Sequence, residues 1–145
     1  MGKINFGRVV VGGIVAGIVG DILGYLVDGL MLAPQWAAGM KALGRSEFSA
    51  GQIMAFNIIG LLYGILVIWL YAAIRPRYGA GPKTAVFAGV LAWAIGILLP
   101  NAGFMGVTGL FPSNLTVMTT AAAIVETVVA ALAGAALYKE GPGLA

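Results

Sequence analysis

Four stretches of the chain are apolar almost throughout, at about 6–32, 50–74, 84–105 and 115–137, and short polar or glycine- and proline-bearing segments separate them. A helix rises about 1.5 Å per residue and a bilayer's hydrocarbon core is about 30 Å thick, so a spanning helix needs roughly 20 apolar residues. The pattern predicts an all-α fold, an integral membrane four-helix bundle occupying the whole chain as one domain. Start signals mark three of the spans. Ser49 with Gln52 forms a capping-box pattern, Pro82 stands where a first-turn proline is tolerated, and Pro112-Ser113-Asn114 supplies a cap before Leu115. The first stretch follows Lys3 and Arg8 as a secretion signal would. It outruns the roughly 7 to 15 apolar residues of such a signal and contains Asp21 and Asp28, so it is read as a span.

The connections differ in kind. Trp36, Met40 and Leu43 recur at helical spacing while Gln35, Lys41 and Arg45 fall elsewhere, which suggests a short interfacial helix at about 34–44, with a plain polar loop as the alternative. Between the last two spans Pro100 is expected to break or kink the helix, and Gly103, Gly106 and Gly109 follow. No Lys, Arg, Asp or Glu occurs from Thr84 to Val125. Irregular backbone in lipid leaves polar groups unsatisfied, so this connection is expected to dip back into the bilayer or to be covered by another protein.

Positive charge sets the expected orientation. Lys3, Arg8, Arg75, Arg77, Lys83 and Lys139 lie on one side and only Lys41 and Arg45 on the other, six against two, which places both termini in the cytoplasm (N-in, C-in). Trp69, Tyr71, Tyr78 and Tyr138 then fall near the inner interface and Trp36 near the outer one, where amphipathic rings prefer to sit.

Composition narrows the chemistry. The 145 residues are 61% hydrophobic and 9% charged, with a mean hydropathy of +1.01, whereas a soluble surface needs roughly a quarter to a third charged residues. Cysteine and histidine are both absent, which excludes disulfides, thiolate catalysis, iron–sulfur ligation, His-ligated haem or zinc, and the usual proton shuttle. The net charge of +3 is accounted for by the positive loops and does not indicate nucleic-acid binding. Ser113, Thr116, Thr119, Thr120 and Thr127 have no neighbouring His, Cys or Lys to activate them, and the glycine runs match neither a P-loop nor a dinucleotide fingerprint. Neither an enzyme nor a cofactor is expected.

Three carboxylates lie inside spans: Asp21 and Asp28 in the first, Glu126 in the fourth. Each costs roughly 2.5 to 3.5 kcal/mol at a span centre if ionised, and no span offers a Lys or Arg partner. Asp21 and Asp28, two helical turns apart, share a face. Asp21 and Glu126 both fall near mid-span, while Asp28, Asn57 and Asn101 fall in the outer third of theirs, which outlines a polar funnel opening outward and floored by Asp21 and Glu126. Two neighbouring carboxylates in low dielectric cannot both ionise cheaply, so a shared proton suits proton-coupled exchange or the capture of a cation or amine. The alternative is that these groups only hydrogen-bond between helices. A metal site is not expected, because hard cations want six or more oxygens. Gly13, Gly17, Gly20 and Gly24 in the first span and Gly60 and Gly64 in the second are spaced for close helix packing, with Ala130 and Gly134 a smaller version in the fourth.

The stretches MGKINFGRVVVGG, LYAAIRPRYGAGPKTA, LLPNAGF, GLFPSN and ALAGAALYKE resemble a family of small uncharacterised bacterial membrane proteins. The resemblance covers essentially the whole chain; it implies four helices in a bacterial cytoplasmic (inner) membrane and implies no activity. Two functional expectations follow from the residues. One is a small homo-oligomeric transporter or channel, proton- or cation-linked, with Asp21 and Glu126 as coupling groups and Asp28, Asn57 and Asn101 lining the approach. The other is a non-catalytic accessory subunit of a larger membrane protein complex.

Overall fold

The computed structural model describes residues 3–141; Met1 and Gly2, which open the MGKINFGR stretch, and residues 142–145 lie outside the described residues. Among the described residues there are five helices: α1 (Phe6–Met31), α2 (Ala33–Ala42), α3 (Ala50–Tyr78), α4 (Pro82–Val107) and α5 (Ser113–Leu137). All but α2 are long and apolar enough to cross a membrane, and the chain is a multi-pass membrane protein. Neighbouring long helices run antiparallel in the cyclic order α1, α3, α4, α5, with α1 packed on both α3 and α5. The first and last described residues meet at one end of the bundle, where Gly141 N–H donates to Lys3 O, and α2 lies at the other.

Local chemistry explains most boundaries. The Asn5 side chain accepts a hydrogen bond from the Arg8 N–H and starts α1. At α3 the capping box is complete: Ser49 N–H donates to Gln52 Oε1 at 2.9 Å and Gln52 N–H donates to Ser49 Oγ at 3.3 Å. α3 runs four residues beyond the expected 74, through Pro76, because Thr84 Oγ1 takes up the end of the helix by donating to Tyr78 O and Gly79 O. Gly79 and Gly81, at φ of 85° and 124°, then turn the chain in three residues to Pro82. α5 starts at Ser113 with Pro112 as its cap residue and no side-chain capping bond, so the expected Ser113–Asn114 cap does not form.

Pro100 does not end α4, and the segment after it is not an irregular connection. The turn before it widens to π-helical spacing over Ala94–Leu98, with Leu99 N–H bonded to Ala94 O, and a second wide turn follows at Ala102–Val107. A wider turn relieves the crowding that a proline ring imposes on the carbonyl four residues before it. The backbone through Val107 therefore satisfies its own polar groups, and the glycines at 103 and 106 sit in helix. Only Thr108–Pro112 connects α4 to α5, turning at Gly109 with φ 64°. Neither a re-entrant dip nor a covering protein is required to satisfy this stretch.

The terminal half of the bundle is close-packed through glycine. A side chain at Gly13 would overlap the Ile65 backbone of α3, one at Gly17 would come within 2.6 Å of Leu61 Cα, and one at Gly64 would overlap Gly13 and Gly17. Gly12 and Gly134 make the equivalent crossing between α1 and α5, and Gly89 that between α4 and α5. Two of the tyrosines expected near the inner interface are buried at the terminal end of the bundle. Tyr71 and Tyr138 are 3% and 5% exposed and meet edge to face, because both hydroxyls find backbone donors, Gly81 N–H and Asn5 N–H. Arg75 lies over the Tyr138 ring and pairs with Glu140 at 3.5 Å, the one ion pair among the described residues.

The opposite half is looser. α3 packs on the Phe6–Gly24 part of α1 and the Pro82–Trp93 part of α4; beyond these, Tyr63 lies against Gly96 and Phe56 against Phe48, with no comparable backbone packing against Tyr25–Met31 or the rest of Ala94–Val107. Residues 50–59 are accordingly exposed on every side of the helix. α2 closes this end as the expected short helix, its Trp36 ring set edge-on against Phe48 and Phe111.

Candidate functional site

Asp21 precedes Asp28 by two turns of α1, and Thr119 precedes Glu126 by two turns of α5. Because these helices are antiparallel, the pairs fall at matching heights. At the upper level, nearer α2, Thr119 Oγ1 donates to Asp28 Oδ1 at 2.8 Å and Trp36 Nε1 donates to the same oxygen at 3.0 Å. Asp28 therefore ties α1, α2 and α5 together.

At the lower level Asp21 and Glu126 face one cavity of about 150 Å³ between the four long helices, room for about five waters at the density of liquid. Tyr63 of α3 faces it too, and Ile97, Val67 and small residues complete the wall. Glycine makes this space in two ways. Gly60 seats the Asp21 carboxylate so closely that any side chain there would overlap Asp21 Oδ1. Gly20 and Gly24 are not close helix contacts, contrary to the packing role their spacing suggests. The nearest atom to a side chain at Gly20 would be Ala130 Cβ at 3.9 Å, and at Gly24 Glu126 Oε2 at 3.7 Å, so these two leave the cavity and the glutamate their room.

The polar atoms at this level are unmatched. Glu126 Oε1 and the Tyr63 hydroxyl are buried without a hydrogen-bond partner. Among the described residues Asp21 takes part in no hydrogen bond or ion pair, and no three acidic groups come together to hold a metal. Lys and Arg are confined to the two ends of the bundle.

The two asparagines part company. Asn101 donates to Thr120 Oγ1 at 2.9 Å and, with Trp93 Nε1 on Thr120 O at 2.8 Å, fastens α4 to α5 away from the cavity. Asn57 is exposed and bonds back to Ile53 O of its own helix. It is nevertheless seven residues from Gly64, so it lies on the bundle-facing stripe of α3, beyond the point where α3 leaves the bundle. The polar funnel lined by Asp28, Asn57 and Asn101 is thus not what the structure builds: two of the three bind neighbouring helices, and only Asn57 faces open space. The threonine hydroxyls of α5 are spent on Pro112 O, Asp28, Asn101 and Ala123 O. Tyr63 was not singled out by the sequence pattern, although a hydroxyl beside the Gly60–Gly64 pair is a visible signal.

No protein-family model matches this chain, and no curated protein or solved structure matches it at a significant level. The fold and the site accordingly carry the functional argument by themselves.

Proposed function

We propose that the protein is a small transporter or channel of a bacterial inner membrane, self-associated, with both termini cytoplasmic, and that it moves protons or cations through the Asp21–Glu126 cavity. The observation behind this reading is the contrast between the two levels of the α1–α5 pair. Asp28 is a carboxylate used as glue, and its acceptor oxygen is filled by Trp36 and Thr119. Asp21 and Glu126 are not used that way: they face a cavity beside an unpartnered tyrosine hydroxyl. A carboxylate in a span is expensive, and one that makes no structural bond is retained for its chemistry. Alternate loading of the pair with a proton or a cation needs no other titratable group.

Reconstitution with a pH-sensitive dye tests this. Asp21→Asn and Glu126→Gln should each abolish pH-dependent flux, and unchanged flux in both overturns the proposal. The accessory-subunit reading draws on the large apolar residues that α4 presents outward, Ile95, Leu99, Phe104 and Val107, exposed by 64% to 86%. Native mass after gentle extraction separates the two: a multiple of 14.8 kDa favours self-assembly, and a mass requiring other polypeptides favours the accessory role.

A further inference from the structure

We propose that the α2 end carries a second site, which binds the headgroup of phosphatidylethanolamine: a pocket between α2 and α3 takes the phosphate on Arg45 and the ammonium on Glu47. This inference goes beyond the transport reading and does not depend on it.

The pocket is built by local sequence devices. α2 ends in a turn where Gly44, at φ 67°, lets Arg45 N–H reach back to Met40 O at 2.9 Å and Gly44 N–H to Lys41 O at 3.0 Å. Four residues after Arg45, the Ser49–Gln52 capping box starts α3. Just before that box, Phe48 meets the rings of Trp36 and Phe56 edge to face. The crossing between these fixed points encloses a surface pocket of about 250 Å³, lined by Met40, Leu43, Arg45, Ser46, Glu47 and Gln52. That is room for about eight waters at the density of liquid, and a phosphoethanolamine group has about as many non-hydrogen atoms.

The lining asks for a ligand that carries both charges. Arg45 and Glu47 both line the pocket, and among the described residues neither is in an ion pair, the one such pair being Arg75 with Glu140. Gln52 gives its Oε1 to Ser49 N–H and keeps its amide N–H donors. Guanidinium, the Ser46 hydroxyl and that amide together suit a phosphate, and the Glu47 carboxylate suits a primary ammonium with its three donors. An anion alone would leave Glu47 without a partner, and a cation alone would leave Arg45 without one. Met40 and Leu43 supply an apolar wall for the carbon link between the two charges. Position selects a lipid as the source. The residues of α3 next to Gln52 are Ile53 and Met54, 52% and 62% exposed on a helix that spans the membrane, so they meet hydrocarbon and the pocket stands at the headgroup level just beyond them.

The test is native mass spectrometry of the full chain in detergent, titrated with phosphatidylethanolamine, phosphatidylcholine or phosphatidylglycerol of identical acyl chains. Phosphatidylethanolamine should bind about fivefold more tightly than either, because phosphatidylglycerol leaves Glu47 unpaired and the trimethylammonium of phosphatidylcholine has no N–H to donate. Arg45→Gln should weaken phosphatidylethanolamine about two- to fivefold, and Glu47→Gln should remove its advantage over phosphatidylglycerol, both within the range of a solvent-exposed charge contact. Lys41→Gln removes a cation of α2 outside the pocket and should change neither. All three positions are exposed, so the substitutions leave the packing intact. Equal retention of the three lipids, an advantage that Glu47→Gln leaves whole, or a loss in Lys41→Gln as large as in Arg45→Gln overturns the inference. Displacement of the lipid by an equal concentration of water-soluble glycerophosphoethanolamine overturns the lipid assignment and makes the pocket a site for the free headgroup.

Discussion

Gly13→Ala and Gly20→Ala make the same chemical change on one helix, two turns apart, and should act in opposite directions. At Gly13 the new methyl would fall on the backbone of Ile65, within 2.7 Å of its Cγ1 and 2.9 Å of its N, where ordinary contact is 3.4–4 Å. Backbone cannot swing aside as a side chain can, so α1 and α3 must part by about 1 Å. Overpacking of this kind costs about 1–3 kcal/mol, and the upper part of that range applies where the obstacle is main chain. Alanine returns about 1 kcal/mol over glycine within a helix, which leaves a net loss of about 1–2 kcal/mol. At Gly20 the nearest atom is Ala130 Cβ at 3.9 Å. There the methyl meets no obstacle, and the variant should gain up to about 1 kcal/mol. Equilibrium unfolding in mixed micelles, followed by circular dichroism, should therefore separate the two by about 1–3 kcal/mol. Equal shifts of the same sign would refute the assignment of Gly13 to packing and Gly20 to the cavity.

Asp28→Ala removes the acceptor shared by Trp36 and Thr119 and should cost about 3–6 kcal/mol, given about 1.5–3 for each of the two bonds to a charged group, with Trp36 emission moving to the red as α2 undocks. Asp28→Asn keeps an Oδ1 acceptor and should lose less than half of that; unchanged tryptophan emission in the alanine variant would mean that α2 is held by other contacts. Arg75→Ala loses a partly buried ion pair with Glu140 and the stack on Tyr138, together about 1 kcal/mol, and the same unfolding assay at two salt concentrations checks that only the ion-pair part is screened.

Much of this architecture was legible in the sequence because bilayer thickness leaves so little choice. Four apolar stretches of spanning length permit only helices, and caps such as Ser49 with Gln52 are local devices that spell out their own geometry. Other features depend on who the neighbour is. Pro100 reads as a breaker by propensity, and only the widened turn before it explains why α4 continues to Val107. Tyr71 and Tyr138 read as interfacial by chemistry, and that reading does not foresee their burial, which depends on the backbone donor each one finds. The seven-residue spacing of Asp21 and Asp28 was visible, whereas their division into an open group and a bonded one was not. That division depends on Trp36 reaching back from α2 and on Thr119 arriving from a helix 91 residues away. The glycine stripes were visible too, but spacing cannot tell a glycine that admits a helix from one that admits a carboxylate.

The splay of α3 also has a consequence for the surrounding lipid. The terminal half of the molecule is drawn together by glycine crossings, while the α2 half spreads as α3 leaves its neighbours. The cross-section in one leaflet is therefore larger than in the other. Such a wedge is sensitive to lateral pressure: lipids that crowd the leaflet around the α2 end press α3 back toward α1 and α4, and lipids that relieve that crowding let it stand apart. Curvature of the host membrane, set by headgroup size and chain unsaturation, thus acts directly on the width of the molecule at the level of residues 50–59.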